Sequence, residues 1–121
     1  MIVGVGIDNV ETRRMKDILM KWVDRVENRV FNEVELEYSK SKGEPHLHLA
    51  ARFAAKEAFF KALGRRVGWK DAELVNRPSG QPDLLIRKDL EKTFDRVHVS
   101  VSHLAAYAIA VVILEKQPDQ T

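Results

Sequence analysis

Residues 52–61 read Arg-Phe-Ala-Ala-Lys-Glu-Ala-Phe-Phe-Lys. The segment is rich in alanine and long side chains and lacks glycine and proline, so it predicts a helix. Apolar residues (Leu49, Phe53, Ala54, Ala55, Ala58, Phe59, Phe60 and Leu63) go nearly all the way round it, the pattern of a buried helix. Yet it carries Arg52, Lys56, Glu57 and Lys61. Buried charges are costly unless they are paired or given a ligand. Three cations and one carboxylate on such a helix point to an anionic ligand and leave room for a metal.

Asp8 is the second residue of chemical interest. It lies where an apolar strand gives way to a helix, so it is either that helix's N-cap, worth about 1 kcal/mol, or a metal ligand. Glu57 and Lys61 stand i, i+4 in the favourable order. They either form a helix-face ion pair worth about 0.2–0.5 kcal/mol or have separate chemical tasks. Mg²⁺ typically takes one or two carboxylates together with phosphates and water. Two acids from separate elements, one on a cation-rich helix, match that chemistry. Arg52, Lys56 and Lys61 suit phosphate, Arg as a fork and Lys as a point charge; the alternative is snorkelling from a half-buried helix.

His103 ends the run Ser100-Val101-Ser102-His103, where a side chain either reaches a pocket or is simply structural. His46 and His48 are two apart and would not face each other on a helix, so they make no metal pair. Ser100 and Ser102 lack a nucleophile motif and read as the polar face of a strand. Neither a phosphate-binding loop nor a dinucleotide-binding glycine motif is present. Trp69 stands in a basic stretch without an aromatic series, so nucleic acid is not the expected partner.

The chain has 121 residues, enough for one domain with its own core. Without cysteine it has no disulfide, thiolate metal site or cysteine nucleophile, and it is compatible with a reducing cytoplasm. No apolar run approaches the roughly 18 residues of a membrane span, and the N-terminal residues do not read as a signal peptide. A net charge of +2 argues against a generic polyanion binder. The local balance differs: residues 52–70 hold six cations (Arg52, Lys56, Lys61, Arg65, Arg66, Lys70) and one acid, which would attract a phosphorylated ligand.

These groups need elements to position them. Ile2 to Ile7 reads as a strand whose glycines, Gly4 and Gly6, allow close backbone approach. Asp8 to Glu11 has the form of a capping box, and Met15, Ile18, Leu19, Trp22, Val23 and Val26 then recur at helical spacing to about residue 28. Arg14, Lys21 and Arg25 fall along one neighbouring stripe. A second capping pattern, Asn32 to Glu35, opens a helix over 33–41, broken at Gly43-Glu44-Pro45. The decamer's helix spans about 46–63, with Gly64 as its stop. Ala72–Val75 and Leu84–Ile86 flank a turn, Lys88–Phe94 reads as a short helix, and Val97–Ser102 alternates as a strand. Ala105–Leu114 reads as a central strand and 117–121 as a frayed tail. The order predicts a single α+β domain over 1–121, with three N-terminal helices on a mainly antiparallel sheet.

Gly4-Val5-Gly6-Ile7-Asp8, followed by Phe53-Ala54-Ala55-Lys56-Glu57-Ala58-Phe59-Phe60-Lys61, resembles the paired signature of the 4′-phosphopantetheinyl transferases, and among them the small bacterial holo-acyl-carrier-protein synthases. Residues 31–38, Leu49 to Phe53, Ser79 to Pro82 and Val97 to His103 resemble family segments in the expected order. The resemblance implies the family fold. It also implies an enzyme that moves the phosphopantetheine arm of coenzyme A onto a serine of apo-acyl carrier protein, releasing adenosine 3′,5′-bisphosphate, in support of fatty acid biosynthesis. By the same resemblance Asp8, Glu57 and Lys61 are catalytic, and Asp8 and Glu57 hold Mg²⁺. Arg52, Lys56, Lys61, Gly64, Pro82, Ser102 and His103 line the coenzyme A site. Arg14, with Lys21 and Arg25 on its stripe, docks the acidic carrier protein, and the enzyme is a cytoplasmic homotrimer with sites at subunit interfaces. The chain departs from the family pattern at Gly64–Gly68, which replaces Gly-Thr-Gly and a longer loop, at Asn9 and at Leu104.

Overall fold

A computed structural model describes residues 1–118. The chain runs β1 (Ile2–Glu11), α1 (Thr12–Val30), α2 (Glu33–Lys40), α3 (Pro45–Leu63), β2 (Ala72–Asn76), β3 (Pro82–Ile86), β4 (Arg96–His103) and β5 (Tyr107–Glu115). Strands β1, β5 and β4 form one antiparallel sheet with β5 in the middle, and β2 and β3 form a separate hairpin. The expected α+β architecture is present, with α3 at its centre. Ala50, Ala54, Ala55, Ala58 and Phe59 of α3 are inaccessible to solvent, as are Ala108, Ala110 and Val112 of β5.

The contact between β1 and α3 depends on missing side chains. A Cβ on Gly6 would lie 1.9 Å from the Ala58 carbonyl oxygen, and one on Gly4 2.0 Å from that of Ala62. Only glycine permits this approach. Helix α3 is bounded as its sequence suggests. Pro45 occupies its first turn, and Gly64, at φ 84°, closes it with an N–H donated to Phe60 O at 2.9 Å.

Four expectations are corrected here. The first strand does not end at Ile7: Asp8 pairs with Ala110 and Glu11 with Tyr107, so Asp8 is mid-strand and caps nothing. Helix α1 therefore starts at Thr12, with no side-chain cap from Glu11. At Trp22 the backbone leaves helical geometry (φ −132°, ψ 34°), a break between Lys21 and Arg25 that interrupts the expected single stripe. The segment after Arg87 forms only a 3₁₀ turn, Lys88–Leu90. Within the expected tail, Gln117 is held, its N–H donating to Asp95 Oδ2 at 2.5 Å; residues 119–121 lie outside the described residues.

Candidate active site

Pairing of β1 with β5 and its close seat on α3 bring Asp8 and Glu57 to one cleft. This cleft, of about 330 Å³, is also lined by Glu11, Arg14 and Phe53. Each acid meets a cation. The Lys61 ammonium donates to Ile7 O at 2.9 Å and to Asp8 Oδ1 at 3.2 Å. Arg66 Nη2 lies 3.3 and 3.5 Å from the two Glu57 oxygens. The i, i+4 pairing of Glu57 with Lys61 is therefore not what forms; each has a partner from another segment.

The donor set suits a hard cation. Among the described residues no group of three His, Cys, Asp or Glu is placed to hold a metal. Two carboxylates at one cleft are enough for Mg²⁺, which completes its shell with phosphates and water. No wholly protein-made cage is required.

Arg52, Pro82 and His103 gather at a second cleft, of about 240 Å³, with Tyr38, His48 and Asn76. Arg52 is buried, its Nη2 donating to Asn76 Oδ1 at 2.6 Å and its guanidinium 4.4 Å from the Tyr38 ring centroid. Its Nε has no hydrogen-bond partner among the described residues. Burial pulls its pKa below the ordinary value, with Glu35 and Tyr38 opposing. His48 and His103 meet edge to face at 5.3 Å. Burial lowers the His48 pKa from 6.5, helped by His103, Arg52 and Lys42. The orphaned Nε is itself buried, so an anion in this cleft would meet the guanidinium through its charge and its Nη donors. Ser102, on β4, and Gly64, past the end of α3, are exposed and line neither of these clefts.

Lys56 is the clear correction among the expected ligand-binding residues. Its side chain is wholly buried, with Nζ 2.8 Å from Glu35 Oε1. It donates to Asn32 Oδ1 at 3.0 Å, Trp69 O at 2.8 Å and Ala72 O at 2.6 Å. Those contacts use every donor an ammonium has, so none is left for a phosphate. Burial lowers its pKa against the opposing pull of Glu35. Glu35 in turn accepts from Asn32 N–H at 2.9 Å and Leu74 N–H at 3.0 Å. The sequence offered half of this network, the capping pattern at Asn32, but nothing that joined Glu35 to Lys56. Tyr38, His48 and Arg66 were likewise missed as site residues; a surplus of cations after Gly64 was the one trace of Arg66.

Arg14, Lys21 and Arg25 are all exposed on α1. Arg14 reaches the acidic cleft, whereas Arg25 lies 5.4 Å over the Trp22 ring beyond the helix break.

Known proteins resemble the chain from end to end. A family model for the 4′-phosphopantetheinyl transferase superfamily matches residues 4–112. The holo-[acyl-carrier-protein] synthase of Syntrophus aciditrophicus is 45% identical over 128 residues, covering 98% of this chain and 100% of that protein. Among solved structures, the holo-[acyl-carrier-protein] synthase of Neisseria meningitidis superposes with a TM-score of 0.88 at 31% identity, over 96% of this chain and 100% of that one. That of Bacillus anthracis, in complex with CoA (3′,5′-ADP), gives 0.79 at 36% identity, over 97% and 99%. With a matching family model over most of its length, the chain belongs to the 4′-phosphopantetheinyl transferase superfamily.

Proposed function

We propose that the two clefts are the two halves of a site that transfers the 4′-phosphopantetheine arm of coenzyme A to a serine of apo-acyl carrier protein. The observation that carries this reading is Asp8 and Glu57 at one cleft, each facing a cation. Relatives named holo-[acyl-carrier-protein] synthase over nearly the whole chain support it, as do solved relatives in complex with coenzyme A.

In the reaction the serine oxygen forms a bond to the phosphorus that bears the pantetheine arm. The bond from that phosphorus to the bridging oxygen breaks, and adenosine 3′,5′-bisphosphate leaves. Mg²⁺ held by Asp8 and Glu57 would supply charge neutralisation at the phosphorus under attack. Lys61, beside Asp8, adds positive charge to the same place; electrostatic help aimed at developing charge is usually the largest catalytic term. The serine proton passes to Glu57 or to water. Arg52, a cation at the second cleft, suits the phosphate of the nucleotide half, and His103 and Pro82 line the cleft beside it. Arg14 and Lys21 give the exposed face of α1 a positive edge that steers an acidic carrier protein, chiefly through its rate of association.

The site is divided within one chain. Clefts of about 330 and 240 Å³ are at or below the lower end of the about 300–1,000 Å³ that enclose drug-sized ligands, and coenzyme A is larger than those. The outer face of the sheet is apolar along β1 and β5, where an exposed sheet face is normally polar: Val5, Ile7 and Ile109 are 59%, 60% and 41% exposed, and β4 adds polar residues there, His98, Ser100 and Ser102. Both features support the homotrimer with interfacial sites, in which one copy's acidic cleft meets another's basic one.

Incubation of the purified protein with Mg²⁺, coenzyme A and apo-carrier protein tests the assignment. The carrier should gain the mass of one phosphopantetheine arm, and chelating the magnesium should stop the gain. Unmodified carrier, tried with several carrier proteins, would remove the activity; a module that merely binds an acidic partner would be indifferent to chelation.

A further inference from the structure

Both ion pairs of the cleft are open to water, with Lys61 55% and Arg66 67% exposed, but their cations are anchored differently. Lys61 reaches Asp8 from the same helix that packs on β1, and also bonds the backbone at Ile7 O. Arg66 comes from the basic loop after α3, and its side chain is 67% exposed while that of Glu57 is 17% exposed. An ion pair so open to water adds little net stability and exchanges readily. Arg66 does not depend on Glu57 for its position, however. Its guanidinium lies 5.7 Å from the Phe60 ring centroid and 5.5 Å from that of Trp69, within cation–π range. Trp69 in turn stacks on Phe53 at 5.1 Å, and Phe53 lines the acidic cleft. The aromatic seat thus holds a forked cation at the edge of the site with or without the carboxylate.

On the reading of Asp8 and Glu57 as the metal ligands, Glu57 cannot serve Mg²⁺ fully and keep its contact to Arg66. We propose that Arg66 is a substrate-binding residue that Glu57 holds in reserve: when Glu57 turns to the metal, the guanidinium passes to a phosphate of coenzyme A. A free dication must displace Arg66 and gains nothing from its release. A dication arriving with coenzyme A brings an anion that takes the freed guanidinium, and Arg suits phosphate through its planar fork. Arg66 therefore couples the two ligands: each binds better once the other is present, and by the same factor.

Calorimetric titration of the full chain separates these effects. Wild type, R66A and R66K would each be titrated with Mg²⁺ alone, with coenzyme A alone, and with coenzyme A at saturating Mg²⁺. Because Arg66 is exposed, the variants should fold. R66A should bind Mg²⁺ alone more tightly than wild type, its competitor for Glu57 gone. At saturating Mg²⁺ it should bind coenzyme A about tenfold more weakly, the loss expected for a charged hydrogen bond. R66K should recover only part of that loss, since an ammonium lacks the fork. R66A matching wild type in either measurement would overturn the proposal. A wild type that takes up no Mg²⁺ even with coenzyme A present would overturn the metal assignment, and the proposal that rests on it.

Discussion

Asp8 and Glu57 enter their cleft already neutralised, Asp8 by Lys61 and Glu57 by Arg66. That arrangement lets two acids share a small volume before any metal arrives, because the attraction of each to its cation offsets their mutual repulsion. If Glu57 is a ligand for Mg²⁺, removing its charge while keeping its shape should be severe: Glu57→Gln should lower transfer to the carrier by a factor of about 10² or more. Near-wild-type turnover would take Glu57 out of the metal role. The second cleft offers a test in pH. Burial and the neighbouring His103, Arg52 and Lys42 hold His48 below its ordinary value of 6.5, so the folded chain binds that proton less readily than the unfolded chain. Stability from this source is complete above about pH 6.5 and is lost as the pH falls from there toward the folded value. Urea unfolding between about pH 7 and 5 should therefore show a loss in wild type that His48→Asn reduces. Parallel losses in the two proteins would show that His48 is not its source.

At the level of elements, the glycines of β1 set where its carboxylate stands. A methyl group on Gly6 would sit 1.9 Å from a backbone oxygen of α3, which no rotamer change can relieve. Gly6→Ala should cost at least about 3 kcal/mol, and denaturant unfolding should show it. A cost below about 1 kcal/mol would mean that β1 and α3 can part easily. Lys56 ties three other segments to α3. Lys56→Met would leave Glu35 buried and unpaired and should cost about 3–5 kcal/mol, with Glu35→Leu in the same chain recovering part of it; a single variant as stable as wild type would refute that role. Both the legible and the illegible parts of the fold are visible here. Helix α3 could be read to within a residue because Pro45 and Gly64 act on the backbone locally. Strand β1 was read too short. Asp8 and Asn9 have poor strand propensity, Asp8–Glu11 imitates a capping box, and what keeps them extended is pairing with β5, a contact with no local sign. Lys56 was misread for the same reason. Its chemistry demanded a partner, but a neighbour on another helix has no sequence period, so ligand and internal carboxylate looked alike until the fold joined them.

The whole molecule carries a mismatch between its core and one outer surface. Helix α3 fills one face of the three-stranded sheet, while the opposite face presents Val5 and Ile7 from β1 and Tyr107 and Ile109 from β5, all exposed. A contiguous apolar face of this kind on a small protein marks a contact with another protein. Tight packing on α3 already accounts for the inner positions of β1, so the outer ones are free to answer to something else. If copies of the chain pack there, assembly and catalysis should fail together, because the acidic and basic clefts on one chain share no lining residue. Val5→Lys places a charge on that face, opposite Ile113 in the register and on a side chain that does not line the acidic cleft. The folded core should survive it, as judged by circular dichroism and denaturant unfolding. In sedimentation the wild-type protein should run at the mass of three chains and the variant at the mass of one. Transfer to the carrier should fall at least about tenfold, a loss of 1.4 kcal/mol or more in transition-state stabilisation, and mixing in excess Glu57→Gln chains, whose basic cleft is intact, should not restore it. A monomeric Val5→Lys protein with full activity would show instead that one chain carries the complete site, and that the apolar face serves some other contact.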